Sequence, residues 1–162
     1  MKEIIYNRQM VIDYAKTWAF KRNPKYLDFD SLGGDCTNFA SQCIFAGCNI
    51  MNYTPVTGWY YNSSYDRTAS WTGVEYLYSF LINNKSVGPK GIKTTPDKIR
   101  PGDIIQLGNA NNHFYHSPVV VKVTNSEIFV AAHTFDAYMR SLSSYSYDSI
   151  RFIHILDTVL VS

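Results

Sequence analysis

The chain has 162 residues, enough for one domain with a substantial core. Hydrophobic residues make up 46% of it and charged residues 17%, which excludes a disordered chain. A formal net charge of +2 is too small to argue for nucleic acid or a membrane surface as a partner.

The start, Met1 to Arg8, lacks the apolar run of a signal peptide, and no stretch is long enough to cross a bilayer. Synthesis in the cytosol without membrane insertion is expected, with export by another route open. Residues 6–22 read as a helix capped by Asn7, with Val11, Tyr14, Ala15 and Trp18 on a core-facing stripe. Asn23-Pro24 ends it, and residues 26–32 connect to Gly33-Gly34-Asp35-Cys36. The glycines break what precedes. Asp35 is placed to accept from the first free amides of a second helix, Thr37 to Ala46, which Gly47 closes as a C-terminal cap. Cys36 then lies in the first turn, where unpaired amides and the helix dipole favour the nucleophilic thiolate. Cys43 and Cys48 read as small buried thiols, and three cysteines without zinc spacing suggest no disulfide framework.

Residues 48–69 are polar and tyrosine-rich without a clear period, and are expected to wall a cleft, with Trp59 and Tyr61 touching substrate. A further helix runs from Ser70 or Thr72 to Ile82, with Thr72 and Glu75 in the form of a capping box. After the turn Arg100-Pro101-Gly102-Asp103 come strands at Ile104–Leu107, His116–Val123, Glu127–His133 and Ile150–Leu156. The layout predicts an α+β fold in which N-terminal helices pack on a C-terminal antiparallel sheet, as a single domain over residues 1–162.

A thiol nucleophile needs a base, and imidazole suits neutral pH. Of the four histidines, His116 stands where a polar loop becomes a strand and His133 at the far end of the next strand. His154 reads as a packed or edge residue. His113 and His116 make a poor metal pair, because no cysteine or carboxylate cluster completes the set, and neither metal nor cofactor is expected.

The runs Gly34-Asp35-Cys36-Thr37-Asn38-Phe39-Ala40-Ser41-Gln42, Asn23-Pro24-Lys25-Tyr26, Pro101-Gly102-Asp103 and Ala132-His133-Thr134 together resemble the bacterial putative amidase domain family. That family is similar to papain-like NlpC-type cell-wall peptidases and CHAP amidohydrolases. The resemblance implies a papain-like fold with Cys36 as nucleophile, His116 as base and His133 as orienter, supported by Asp35. Papain-type enzymes use a glutamine upstream of the cysteine. None lies near enough here, so the amide of Cys36 with Tyr26 or Asn23 is expected to form the oxyanion hole. The implied activity is cleavage of amide or peptide bonds, by way of an acyl-enzyme, in a peptide or peptidoglycan-like substrate by a monomer. Passing the acyl group to another acceptor, or a non-catalytic module whose 53–65 stretch binds peptide or glycan, are the alternatives.

Strand register decides the orienter. A two-residue turn at Asn125-Ser126 pairs Thr124 with Glu127 and sets His133 diagonal to His116. Val120, Phe129 and Ala131 would share that face as a bed for the Cys36 helix, opposite a face of Val119, Val121, Val123, Ile128, Val130 and Ala132. A one-residue bulge would instead bring Asp136 to His116.

Overall fold

Helical periodicity in the first half and short β-branched runs in the second separate in space. The computed structural model describes residues 2–162. In chain order the elements are β1 (Glu3–Ile5), α1 (Arg8–Trp18), α2 (Cys36–Cys48), β2 (Tyr61–Ser63), β3 (Asp66–Arg67), α3 (Ala69–Thr72) and α4 (Val74–Asn83). Then come β4 (Gly91–Thr94), β5 (Ile104–Gly108), β6 (Phe114–His116), β7 (Val119–Val123), β8 (Ile128–Ala132), β9 (Ala137–Ser141), β10 (Ser149–Ile155) and β11 (Thr158–Leu160). The fold is α+β. A seven-stranded antiparallel sheet runs β4-β10-β5-β7-β8-β9, with β6 also paired to β5. Among the described residues no helix is long and apolar enough to cross a membrane.

One sheet face carries Ile104, Val119, Val121, Ala131 and Ile153 into a core with Val11 and Ala15 of α1 and Phe39, Cys43 and Ile44 of α2. The other face buries Ile105, Leu107, Val120, Ile128 and Val130 beneath Leu142. Asn7 caps α1 as expected, its side chain accepting from the Met10 N–H at 3.1 Å. Gly47 does not end α2. The helix continues to Cys48 and closes at Asn49, which takes the left-handed conformation (φ 53°). Gly47 instead lets α1 approach, since a Cβ there would sit 2.6 Å from Val11 Cγ2 and 2.7 Å from Tyr6 Cε1. No capping box forms at Thr72 and Glu75, because Gly73 separates α3 from α4 and itself takes the N-cap place.

Residues 48–69 do not border Cys36 or His116, although Asn52, Thr54, Val56, Thr57 and Gly58 line a separate cavity of about 500 Å³. Asn52 and Trp59 form a β-bridge, and β2 pairs with β3. Trp59 is fully buried against Trp71 (centroids 4.6 Å apart) and donates its indole N–H to Ser41 Oγ at 3.1 Å. Tyr61 is buried too, and its hydroxyl accepts from the Leu27 N–H. Both residues expected to touch substrate are therefore core. Trp59→Ala should cost about 3–5 kcal/mol of stability in a denaturant titration, a lost ring plus an orphaned serine hydroxyl.

The β7–β8 register follows the two-residue turn only at first: Val123 faces Ile128 and Lys122 faces Phe129. The register then shifts between Lys122 and Val120, so Val120 pairs with Val130 and Val119 with Ala131. Phe129 and Ala131 lie toward the helices as expected, but Val119 and Val121 join them in place of Val120. The expected single strand from His116 also divides, and His116 pairs with Leu107 of β5.

Candidate active site

Cys36 opens α2 after a loop that only glycines shape easily, with Gly33 at φ 100° and Gly34 at φ 106°. Asp35 then fixes the helix start, though not as a cap, for its side chain bonds none of the first-turn amides. Its Oδ1 accepts from the Phe29 N–H at 2.8 Å and Asn38 Nδ2 at 2.9 Å. Its own N–H donates to Thr134 Oγ1 at 2.8 Å. Asn38 in turn donates to the Leu27 carbonyl and accepts from the Trp71 indole, so loop, helix and aromatic core are tied at one point.

His133 completes this tie and does not orient His116. Its Nδ1 lies 2.6 Å from Asp35 Oδ2 and its Nε2 lies 2.7 Å from the Trp18 carbonyl. A carbonyl only accepts, so Nε2 carries a proton, while Nδ1 and the carboxylate share another polar contact. The ring stacks on Phe39 with centroids 4.0 Å apart and is fully buried. No ring nitrogen is left for a second histidine. The physical reason is the register shift in β7, together with the departure of β6 to β5.

Cys36 and His116 line one cavity of about 440 Å³, together with Leu107, Tyr115, Thr134, Phe135, Arg140 and Tyr145. The Cys36 thiol lies 3.8 Å from Thr37 Oγ1 and 3.8 Å from the Tyr115 carbonyl. Burial pushes the thiol up, and the Thr37 hydroxyl and the backbone amides of Ser117 and Thr37 offset this in part. Burial outweighs the helix start, so the resting group is a thiol and not the expected thiolate. Burial first, and then the positive charge of Arg140, holds His116 down at about 4. Its imidazole is therefore a neutral base at pH 7.

The other expected support residues lie elsewhere. Asn23 donates to the Tyr14 hydroxyl and caps its own turn through the Lys25 N–H. Tyr26 stacks on Trp71 at 5.9 Å. Asp136 is held by both terminal nitrogens of Arg22, at 3.0 and 2.9 Å. None of the three lines the cavity. His113 lines a separate one, and His154 packs against Asp103.

Several contributors were not anticipated. Ser117 bonds Thr37 Oγ1 at 3.1 Å and receives Gln106 Nε2 at 3.1 Å, which steadies the backbone behind the thiol. Thr134 and Phe135 both hold positive φ, 56° and 60°, in the loop over the cavity. Consecutive left-handed residues without glycine are costly, and the Asp136–Arg22 and Thr134–Asp35 bonds hold them there. Buried Thr37 and Asn38 in an apolar helix were the signal available in the sequence.

The chain is 34% identical over 164 residues to the uncharacterized protein YhbB of Bacillus subtilis (strain 168), covering 94% of this chain and 51% of that protein. It is 24% identical over 137 residues to the uncharacterized protein YjcM of the same organism, covering 80% of this chain and 31% of that one. The chain thus spans about half or less of the curated relatives it matches. No solved structure gives a significant match. The family model described as "Putative amidase domain" matches residues 5–156, and the chain belongs to that family.

Proposed function

We propose that this domain is a cysteine amide hydrolase in which Cys36 is the nucleophile and His116 the base. One observation carries the reading: a helix-opening thiol and a neutral, strand-borne imidazole line the same cavity, in a member of an amidase family. Sγ attacks the amide carbonyl while His116 takes the thiol proton, then returns it to the leaving amine. Water, deprotonated by the same ring, releases the acyl group. The amide of Cys36, in the first turn of α2, is the donor best placed for the developing oxyanion. A thiol at a helix start and a base on an antiparallel sheet, lining one cavity, support a papain-like arrangement. With the resemblance to NlpC-type and CHAP enzymes, it favours peptide or amide bonds of peptidoglycan as substrate.

Mass spectrometry of purified peptidoglycan incubated with the wild type, beside Cys36→Ala, tests this. New amine termini with the wild type alone are expected, and identical digests would refute the activity on that substrate. The pH profile gives a second check. His116 is neutral above about 4, so the base is available there and is lost as pH falls through that value. The acid limb of kcat/KM should therefore fall near pH 4, well below the ordinary imidazole value of roughly 6.5.

A further inference from the structure

We propose that Arg140 and Tyr145 form a carboxylate-binding subsite in the Cys36 cavity, so that the preferred substrate carries a carboxylate close to its scissile amide. This rests on Cys36 as the nucleophile and names the substrate class for that site. Arg140, on β9, has no carboxylate partner among the described residues, whereas Arg8, Arg22, Arg100 and Arg151 do; Arg67 also lacks one but lies over Phe29, away from this cavity. Ser144 instead holds it, its Oγ accepting from Nε at 2.8 Å and its carbonyl from Nη2 at 3.2 Å. That leaves Nη1 as an uncommitted donor on a guanidinium whose position is already fixed.

Tyr145 supplies the second half. Its ring lies flat beneath Arg140, 3.6 Å from the guanidinium carbon, and 5.7 Å from the His116 ring. Its hydroxyl is buried without a well-aligned hydrogen-bond partner, the Arg140 guanidinium lying close by over the ring. A buried hydroxyl without a partner costs free energy that a bound acceptor recovers. Both residues line the cavity that holds Cys36, so an anion bound at the edge of the stacked pair shares that cavity with the reacting carbonyl. The anion has a second effect. Arg140 helps to hold His116 down, so neutralising it makes the imidazole a stronger base when the correct substrate is bound.

A carboxylate is favoured over a larger anion by the setting. One guanidinium edge and one phenol make two donors, the number a carboxylate fills, within a cavity shared with apolar Leu107 and Phe135.

The test uses two alkylating probes of nearly equal shape, iodoacetate and iodoacetamide, on the full chain. In each case the Cys36 sulfur forms a bond to the methylene carbon, iodide leaves, and the thiol proton passes to His116 and then to solvent. A thiolate in water repels the anionic reagent, so iodoacetamide is ordinarily the faster. At Cys36 we expect the reverse. The ratio of the two rate constants, from peptide mapping, should then fall by about 10- to 100-fold in Arg140→Gln, less in Tyr145→Phe, and be partly kept in Arg140→Lys. A merely structural arginine would slow or speed both reagents alike and leave the ratio unmoved, which would overturn the proposal. Labelling of buried Cys43 and Cys48 reports any unfolding. Should Arg140→Gln unfold, the wild type decides alone: iodoacetate slower than iodoacetamide at Cys36 overturns the subsite. Failure of both reagents at Cys36 would instead count against the nucleophile.

Discussion

Cys36→Ser should fold normally and lose at least about three orders of magnitude in kcat/KM. The hydroxyl is slightly smaller than the thiol and has the Thr37 hydroxyl and the Tyr115 carbonyl beside it, so the buried position stays satisfied. The chemistry does not. His116, held at about 4, is a weak base and can take a proton from a thiol far more readily than from an alcohol. Thermal unfolding beside a peptide-hydrolysis assay separates the two effects. A serine variant within tenfold of wild type would mean that the thiol is not the attacking group.

The second large effect lies next door. Asp35→Ala should destabilise the domain by about 3–5 kcal/mol, because it strips the partner from several buried polar groups at once. The alanine variant leaves His133 Nδ1 without its partner, and frees the Phe29 N–H and one Asn38 donor bond in a site closed to water. Asp35→Asn should cost much less. Its carbonyl oxygen still accepts from Phe29 and Asn38, and its amide can donate to Nδ1 of a neutral ring whose Nε2 still donates to Trp18. Equilibrium denaturation of the two variants distinguishes a requirement for hydrogen bonds from one for charge. His133→Ala belongs with the alanine variant, as a loss of stability and not of orientation at His116. Equal losses for Asn and Ala at position 35 would show that charge itself is needed.

The sequence carried the helix that presents Cys36, because Gly33-Gly34 can break the chain and the residues after Cys36 sustain a helix. It also put His116 at a strand end, although that end closes β6 against β5 and does not open β7. The shift near Val121 was not legible. Val119-Val120-Val121 is apolar at every position, both sheet faces are buried, and alternation therefore gives no mark of where one residue slips. Asp35 was read from its neighbours alone, while its decisive partner, His133, arrives from 98 residues away. Trp59 sits in a stretch without a period, and only Trp71 and Phe80, folded over it, make it core. Arg140 looks like any solvent-facing strand charge until β9 lays it over the cavity.

The proposed catalysis passes through a covalent intermediate at one sulfur. The most direct measurement is peptide mapping by mass spectrometry of the full chain, acid-quenched within milliseconds to seconds of mixing with solubilised peptidoglycan stem peptides. The expected result is an acyl mass on the tryptic peptide containing Cys36, localised to that residue rather than to Cys43 or Cys48, that disappears on chase and is absent from Cys36→Ala. Hydrolysis of the same peptides by Cys36→Ala at the wild-type rate, with no thioester on any cysteine, would contradict it.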